Sequence, residues 1–284
     1  MTYSANASRW IAAELKEGRL TAWLMQGKTA EERVVAPAED NSAADALGTL
    51  ARRWNLPAGT EALLSGDPAG ALQTVPAKAA GTPSAAEPDG ILNLQRLPGL
   101  RQDAPAGLMR SAPARVAGFL AQHPNWDGVI CLPGAKTHWV LVSADEIVSF
   151  QSFATVALAR AAEAAFGLGG AGAIDPDRLA DSLPDLISRP ERLAARLAEL
   201  QAAGALDGLS PVEMKGRLWG CWLGAELAAS RPYWLGQNLA LIADEDLAAP
   251  YSAALQSQGL APEVCAAEDM ALAGLIAARN AEAG

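Results

Sequence analysis

Cationic side chains are scarce in this 284-residue chain: 22 Lys and Arg stand against 32 Asp and Glu, a formal net charge of −10 at pH 7. A nucleic-acid binder needs a basic face to neutralise phosphates, so this balance excludes that class. Histidine is limited to His123 and His138, and cysteine to Cys131, Cys221 and Cys265. The cysteines lie far apart, each in an apolar run, which reads as buried free thiols rather than disulfides and leaves no zinc cluster. No apolar run is long enough to span a bilayer, and the opening MTYSANASRW lacks the basic and apolar regions of a signal peptide. A cytoplasmic protein without a membrane partner is expected. G-x-x-x-x-G-K-[ST] and G-x-S-x-G are both missing, which removes P-loop and serine-hydrolase chemistry. GLGGAG at 167–172 spells a dinucleotide-binding pattern. It follows a helical stretch and leads into Asp175 and Pro176 instead of joining a strand to a helix, so a loop is expected there.

What is present is a repeat. RWIAAEL, the turn KEG, RLTAWLM, ERVVA and the helical AADALGTLARRW fill residues 9–54; GVICL, the turn PGAKT, HWVLV, EIVSF and the helical FATVALARAAEAAF fill 128–166. Short Val-, Ile- and Trp-bearing runs punctuated by polar turns read as hairpins, and the spacing then switches to helical. Two such modules predict a duplicated α/β fold with a cleft between the halves. The Pro-, Gly- and Ala-rich segment 75–90 reads as a surface loop, and the boundary is set before the second module, giving domains 1–125 and 126–284.

The segment 211–230 predicts a capped helix, with Ser210 at the cap, Pro211 at the first position and Glu213 three residues after the cap. Gly216, Gly220, Gly224 and Ala228 recur every four residues and form a stripe that a neighbouring backbone can approach. That stripe reads either as simple close packing or as a helix at the domain interface that lets the halves move.

LPGAKTHWVLV at 132–142, with PGL at 98–100, Met109 and Arg110, and LWGCWLGAELAAS at 218–230, resembles the 2-dehydro-3-deoxygalactonokinases, sugar-acid kinases of the actin-like superfamily. Ser188 with Arg189, Tyr251 with Ala254 and Leu255, and the closing ALAGLIA continue the likeness in order. The resemblance implies an α/β fold of two RNase H-like domains with an interdomain cleft, ATP and Mg as cofactors, and a small-molecule sugar acid as substrate. It further implies Glu14 as the metal carboxylate and Arg110 as the substrate-carboxylate contact. Gly134, Lys136, Thr137 and Gly274 are implied at phosphate or nucleotide. It leaves the catalytic base unassigned.

The chain departs from the family at its chemical motifs. Asp-Trp-Gly-Thr in the first hairpin is Glu14, Leu15, Lys16, Glu17; Gly-Glu-Glu-Thr-Gln after Met109 and Arg110 is Ser111, Ala112, Pro113, Ala114, Arg115, without either carboxylate. Thr-His-x-Lys is Ala135, Lys136, Thr137, His138, and where the family has Gly-Ser after a later strand this chain has Ala243, Asp244, Glu245, Asp246, whose charges either repel a polyphosphate or cap and favour a helix N-terminus. Phosphoryl transfer depends on positioning and on a base or metal partner. The expected function is therefore a kinase of 2-dehydro-3-deoxy-D-galactonate with weak or lost phosphoryl transfer, or alternatively a non-catalytic sugar-acid or metabolite-binding relative.

Overall fold

The computed structural model describes residues 9–38 and 42–282. Two compact units divide the chain. The first runs to Trp126 and takes in Ala144–Val148 and the residues from Glu268; the second comprises Asp127–Ser143 and Ser149–Ala267. The closing helix thus groups with the N-terminal unit, whereas the expected domains assign it to 126–284.

In the first unit β1 (Arg9–Lys16), β2 (Arg19–Gln26) and β3 (Thr29–Pro37) form an antiparallel meander, followed by α1 (Ala43–Arg53) and β4 (Thr60–Ser65). The segment 72–102 carries β5 (Leu72–Thr74), β6 (Ala77–Lys78), β7 (Glu87–Asp89), β8 (Leu92–Arg96) and β9 (Gly99–Gln102). The stretch expected as a loop at 75–90 therefore holds two short strands. β10 (Gly107–Met109) and α2 (Ala112–Gln122) complete the N-terminal run. The main sheet runs β3-β2-β1-β4-β8-β7, with β1, β4 and β8 parallel; β10, β9 and β5 form a small second sheet.

β1 is apolar on both faces because both are covered. Ile11, Ala13 and Leu15 pack with Leu47, Leu50 and Ala51 of α1, while Trp10 and Ala12 pack with Ala114 of α2 and with Ala271 and Leu275 of α8 (Ala267–Glu282). α2 and α8 cross where neither carries a side chain. A Cβ on Gly274 would lie 1.8 Å from the Ala114 carbonyl oxygen, and one on Gly118 would lie 2.0 Å from that of Met270.

The second unit repeats the plan with β11 (Gly128–Leu132), β12 (Thr137–Ser143), β13 (Glu146–Phe153) and α3 (Thr155–Ala165). It continues through α4 (Pro176–Ser188), α5 (Leu193–Asp207), α6 (Pro211–Trp234), β14 (Leu239–Ala243), α7 (Glu245–Gln256) and β15 (Glu263–Ala266). Its sheet runs β15-β14-β11-β12-β13, with β11, β14 and β15 parallel. β1-β4-β8 and β11-β14-β15 are thus equivalent parallel cores flanked by equivalent meanders.

α6 begins with the expected capping box: Ser210 Oγ accepts from the Glu213 backbone N–H at 3.3 Å, and the Glu213 carboxylate accepts from the Ser210 N–H at 3.1 Å. Its glycine stripe lies against α4, where a Cβ on Gly220 would meet the Leu179 carbonyl oxygen at 2.2 Å. Of the two readings of the stripe, close packing is the one observed. GLGGAG is a loop, as expected, and Asp175 after it caps α4 by accepting from the Asp177 and Arg178 N–H groups. Cys131 and Cys221 are buried, whereas Cys265 is only half-buried.

Candidate functional site

Ligands of open α/β sheets gather at the carboxyl ends of the parallel strands. In the first unit that place holds Glu14 on β1, Ser65 to Asp67 after β4 and Arg96 at the end of β8. Glu14 and Ser65 are register partners, so they project from one face of the sheet, the one α2 covers. The chain turns sharply at Gly66, φ +88°, where a Cβ would lie 2.0 Å from the Leu15 carbonyl oxygen, so only glycine fits. The turn is fastened by Asp67, whose carboxylate accepts from Arg96 Nε at 2.7 Å and from the Ala69 N–H at 2.9 Å.

Arg110, half-buried just before α2, leans over the same turn. Its Nη1 reaches the Asp67 and Gly70 carbonyl oxygens at a long 3.4 Å each.

Glu14 is not arranged for a metal. Arg115, one turn into α2, donates from Nε and Nη2 to the two oxygens of Glu14, each at 2.7 Å, and both residues are 4% exposed. The bidentate fork neutralises the carboxylate and occupies both its oxygens. Among the described residues no group of three or more His, Cys, Asp and Glu could hold a metal ion. At the position where the resemblance implies the magnesium carboxylate, both oxygens thus accept from a guanidinium. Gly274 is equally committed, its open side being filled by the Ala114 carbonyl.

In the second unit the equivalent place is the turn after β11. Gly134 is buried there, Lys136 is exposed, and Thr137 is fully buried. The Thr137 hydroxyl points inward and shares a 2.7 Å hydrogen bond with the Tyr251 hydroxyl. Tyr251 in turn donates to Glu226 at 3.2 Å, and Trp139 Nε1 donates to the other Glu226 oxygen at 3.1 Å. Burial pushes the Glu226 carboxyl up to about 7, against the opposing hydrogen bonds from Thr155, Trp139 and Tyr251. Burial first, and Glu226 second, also push the Cys131 thiol well up. One carboxylate on α6 thereby ties together β12, the start of α3 and α7. At the mouth of β14 the Asp244 side chain makes no cap bond, and Asp246 is paired with Arg160 at 2.8 Å.

Sequence reasoning missed Arg115 and the Glu226 cluster. Arg115 appears in the sequence only as a replacement in a lost acidic run, and its partner is 101 residues away. The signal available for Glu226 was a lone acid on the apolar side of a helix, between Leu223 and Leu227.

A model of the family described as 2-keto-3-deoxy-galactonokinase matches residues 18–278. A protein of Rhizobium meliloti (strain 1021), named as a probable 2-dehydro-3-deoxygalactonokinase, is 28% identical over 209 residues, 68% of this chain and 66% of that protein. The match thus spans just under two thirds of that relative's length. A crystal structure of a candidate 2-dehydro-3-deoxygalactonokinase from Sinorhizobium meliloti superposes with a TM-score of 0.86 at 22% identity, covering 96% of each chain. Component A of the (R)-2-hydroxyglutaryl-CoA dehydratase of Acidaminococcus fermentans superposes with a TM-score of 0.54 at 9% identity, covering 97% and 99%. The fold is the actin-like α/β fold.

Proposed function

The chain belongs to the 2-keto-3-deoxy-galactonokinase family, and on that footing we propose that it binds a 2-dehydro-3-deoxy sugar acid while transferring phosphate from ATP weakly or not at all. The observation that carries this reading is the Glu14–Arg115 pair. At the place where the family puts its metal carboxylate, this chain has a carboxylate neutralised by its own guanidinium at 2.7 Å on both oxygens. Arg115 comes from the segment that in the family supplies two acidic groups: Ala112 and Pro113 stand in place of the carboxylates, and Arg115 brings in a cation beside them. Phosphoryl transfer requires positioned charges to neutralise the moving group and to orient the attacking hydroxyl, and the family motifs leave the base unassigned among the described residues.

Sugar-acid binding has a different basis. Arg110 keeps its family position, stands at the strand ends and makes only long bonds to carbonyl oxygens, so its fork is available to a planar carboxylate. Lys136 and the backbone at Gly134 are the corresponding anion contacts on the second unit, Lys136 as a solvated point charge. Calorimetry with 2-dehydro-3-deoxygalactonate and with Mg-ATP, run separately, tests the proposal. Saturable binding of the sugar acid is expected with weak or absent binding of Mg-ATP; tight binding of Mg-ATP with none of the sugar acid would overturn it.

A further inference from the structure

Helices α4, α5 and α6 line a half-open cavity of about 190 Å³. Arg196 and Arg217 line it, with Glu199, with Ser182 and Cys221 at its floor, and with Leu200 as an apolar wall. The Nε–H groups of both arginines are shut off from solvent and have no hydrogen-bond acceptor. Arg196 Nε lies 3.0 Å from Asp185 Oδ2 without hydrogen-bond alignment, and its Nη1 already donates to Glu199 at 2.6 Å. Glu199 also accepts from Arg192 at 3.3 Å, so its oxygens are engaged.

Arg217 Nε is 3.8 Å from Asp181 Oδ2, beyond hydrogen-bond reach, while Asp181 sits 3.5 Å from Arg178. Around the cavity, then, Asp181, Asp185 and Glu199 all have a closer cation than Arg217. A guanidinium N–H buried without an acceptor costs on the order of 1–3 kcal/mol or more, and native structures give such groups a partner. At the floor the Ser182 hydroxyl donates to the sulfur of Cys221, a thiol that burial pushes up to about 11.

The geometry points to an oxyanion site: a compact carboxylate or phosphate seated between Arg217 and Arg196 and accepting from their Nε–H groups. Two guanidinium groups with spare donors match such a group in charge and shape, and the volume admits it with a few waters. The neighbouring carboxylates keep the site weak and select a small ligand over a polyphosphate. Every residue involved lies on α4–α6, so this site is independent of the strand-end reading.

Titration calorimetry of the full chain with inorganic phosphate and with acetate, at constant ionic strength set by chloride, tests the site. Saturable binding of at least one is expected, weakened tenfold or more in Arg217→Gln and in Arg196→Gln. Absence of binding by both, or binding unchanged in both variants, overturns the proposal. The wild-type protein supplies a measurement that no folding defect can confuse. Alkylation mapped by mass spectrometry should slow at Cys221 when the bound anion is present while Cys265 reacts at its usual rate. Identical Cys221 rates with and without the anion that binds would place it elsewhere and refute the site.

Discussion

Arg115 on α2 holds Glu14 on β1 in a two-pronged ion pair, 2.7 Å on each prong, with both side chains removed from solvent. The pair ties the end of the central strand to the helix that crosses α8. Removing one partner leaves the other charge buried and uncompensated, which typically costs about 3–5 kcal/mol, whereas replacing both by apolar groups of similar volume is often neutral. Arg115→Ala is therefore expected to destabilise by about 3–5 kcal/mol in urea melts, and the double variant Glu14→Leu with Arg115→Met by much less. Equal losses in the two would mean that the pair is not coupled. Because the cation is internal, chelation by EDTA should leave the melting midpoint unchanged; a fall on chelation would reveal a resident metal.

Glu226 makes stability depend on pH in the unusual direction for a carboxylate. Its folded value, about 7, lies above the ordinary 4.5, so the folded state holds the proton more tightly than the unfolded chain. Its contribution is fully present below pH 4.5 and is lost as pH rises towards 7, a swing of roughly 3 kcal/mol at about 1.4 kcal/mol per unit. Glu226→Gln should flatten that slope between those limits while keeping the acceptor for Trp139. A wild-type slope of the opposite sign, or one that survives in the variant, would contradict the assignment.

The helix crossings depend on missing side chains. Gly274→Ala and Gly220→Ala would place a Cβ 1.8 and 2.2 Å from carbonyl oxygens, so each should cost at least about 1–3 kcal/mol as the helices are forced apart. Gly169 has nothing within 4 Å, and Gly169→Ala should leave the thermal midpoint within a degree or two. A loss at Gly169 as large as at Gly274 would remove the packing explanation.

These contrasts mark what the sequence made legible. The meanders, the capped start of α6 and the glycine stripe are local: each is written in residues two to four apart, where turn chemistry and periodicity act. Arg115, Tyr251 and Glu226 take their meaning from partners 25 to 114 residues away, and no spacing rule reaches that far. Glu14 shows the same limit from the other side. A carboxylate at the end of a first strand has the same letters whether a metal or a guanidinium faces it, and only the fold brings Arg115 to it. Thr137 likewise stands in a turn that suggests phosphate, yet its hydroxyl is turned inward to Tyr251.

For ligand binding, Arg110→Ala should weaken 2-dehydro-3-deoxygalactonate by roughly ten- to a hundredfold, the value of about 1.5–3 kcal/mol for a hydrogen bond to a charged group. Lys136→Ala, at an exposed turn, should change affinity by only a few-fold. Unchanged affinity in both variants, compared by calorimetry at one salt concentration, would move the acid away from the strand ends.

The most direct measurement is turnover: ADP release with Mg-ATP and 2-dehydro-3-deoxygalactonate, followed in a coupled assay on the purified wild-type chain. With Glu14 committed to Arg115 and both acidic groups of the neighbouring segment replaced, the expected rate lies far below the roughly 1–100 s⁻¹ typical of kinases. A kcat within that range would contradict the claim that phosphoryl transfer has been weakened or lost.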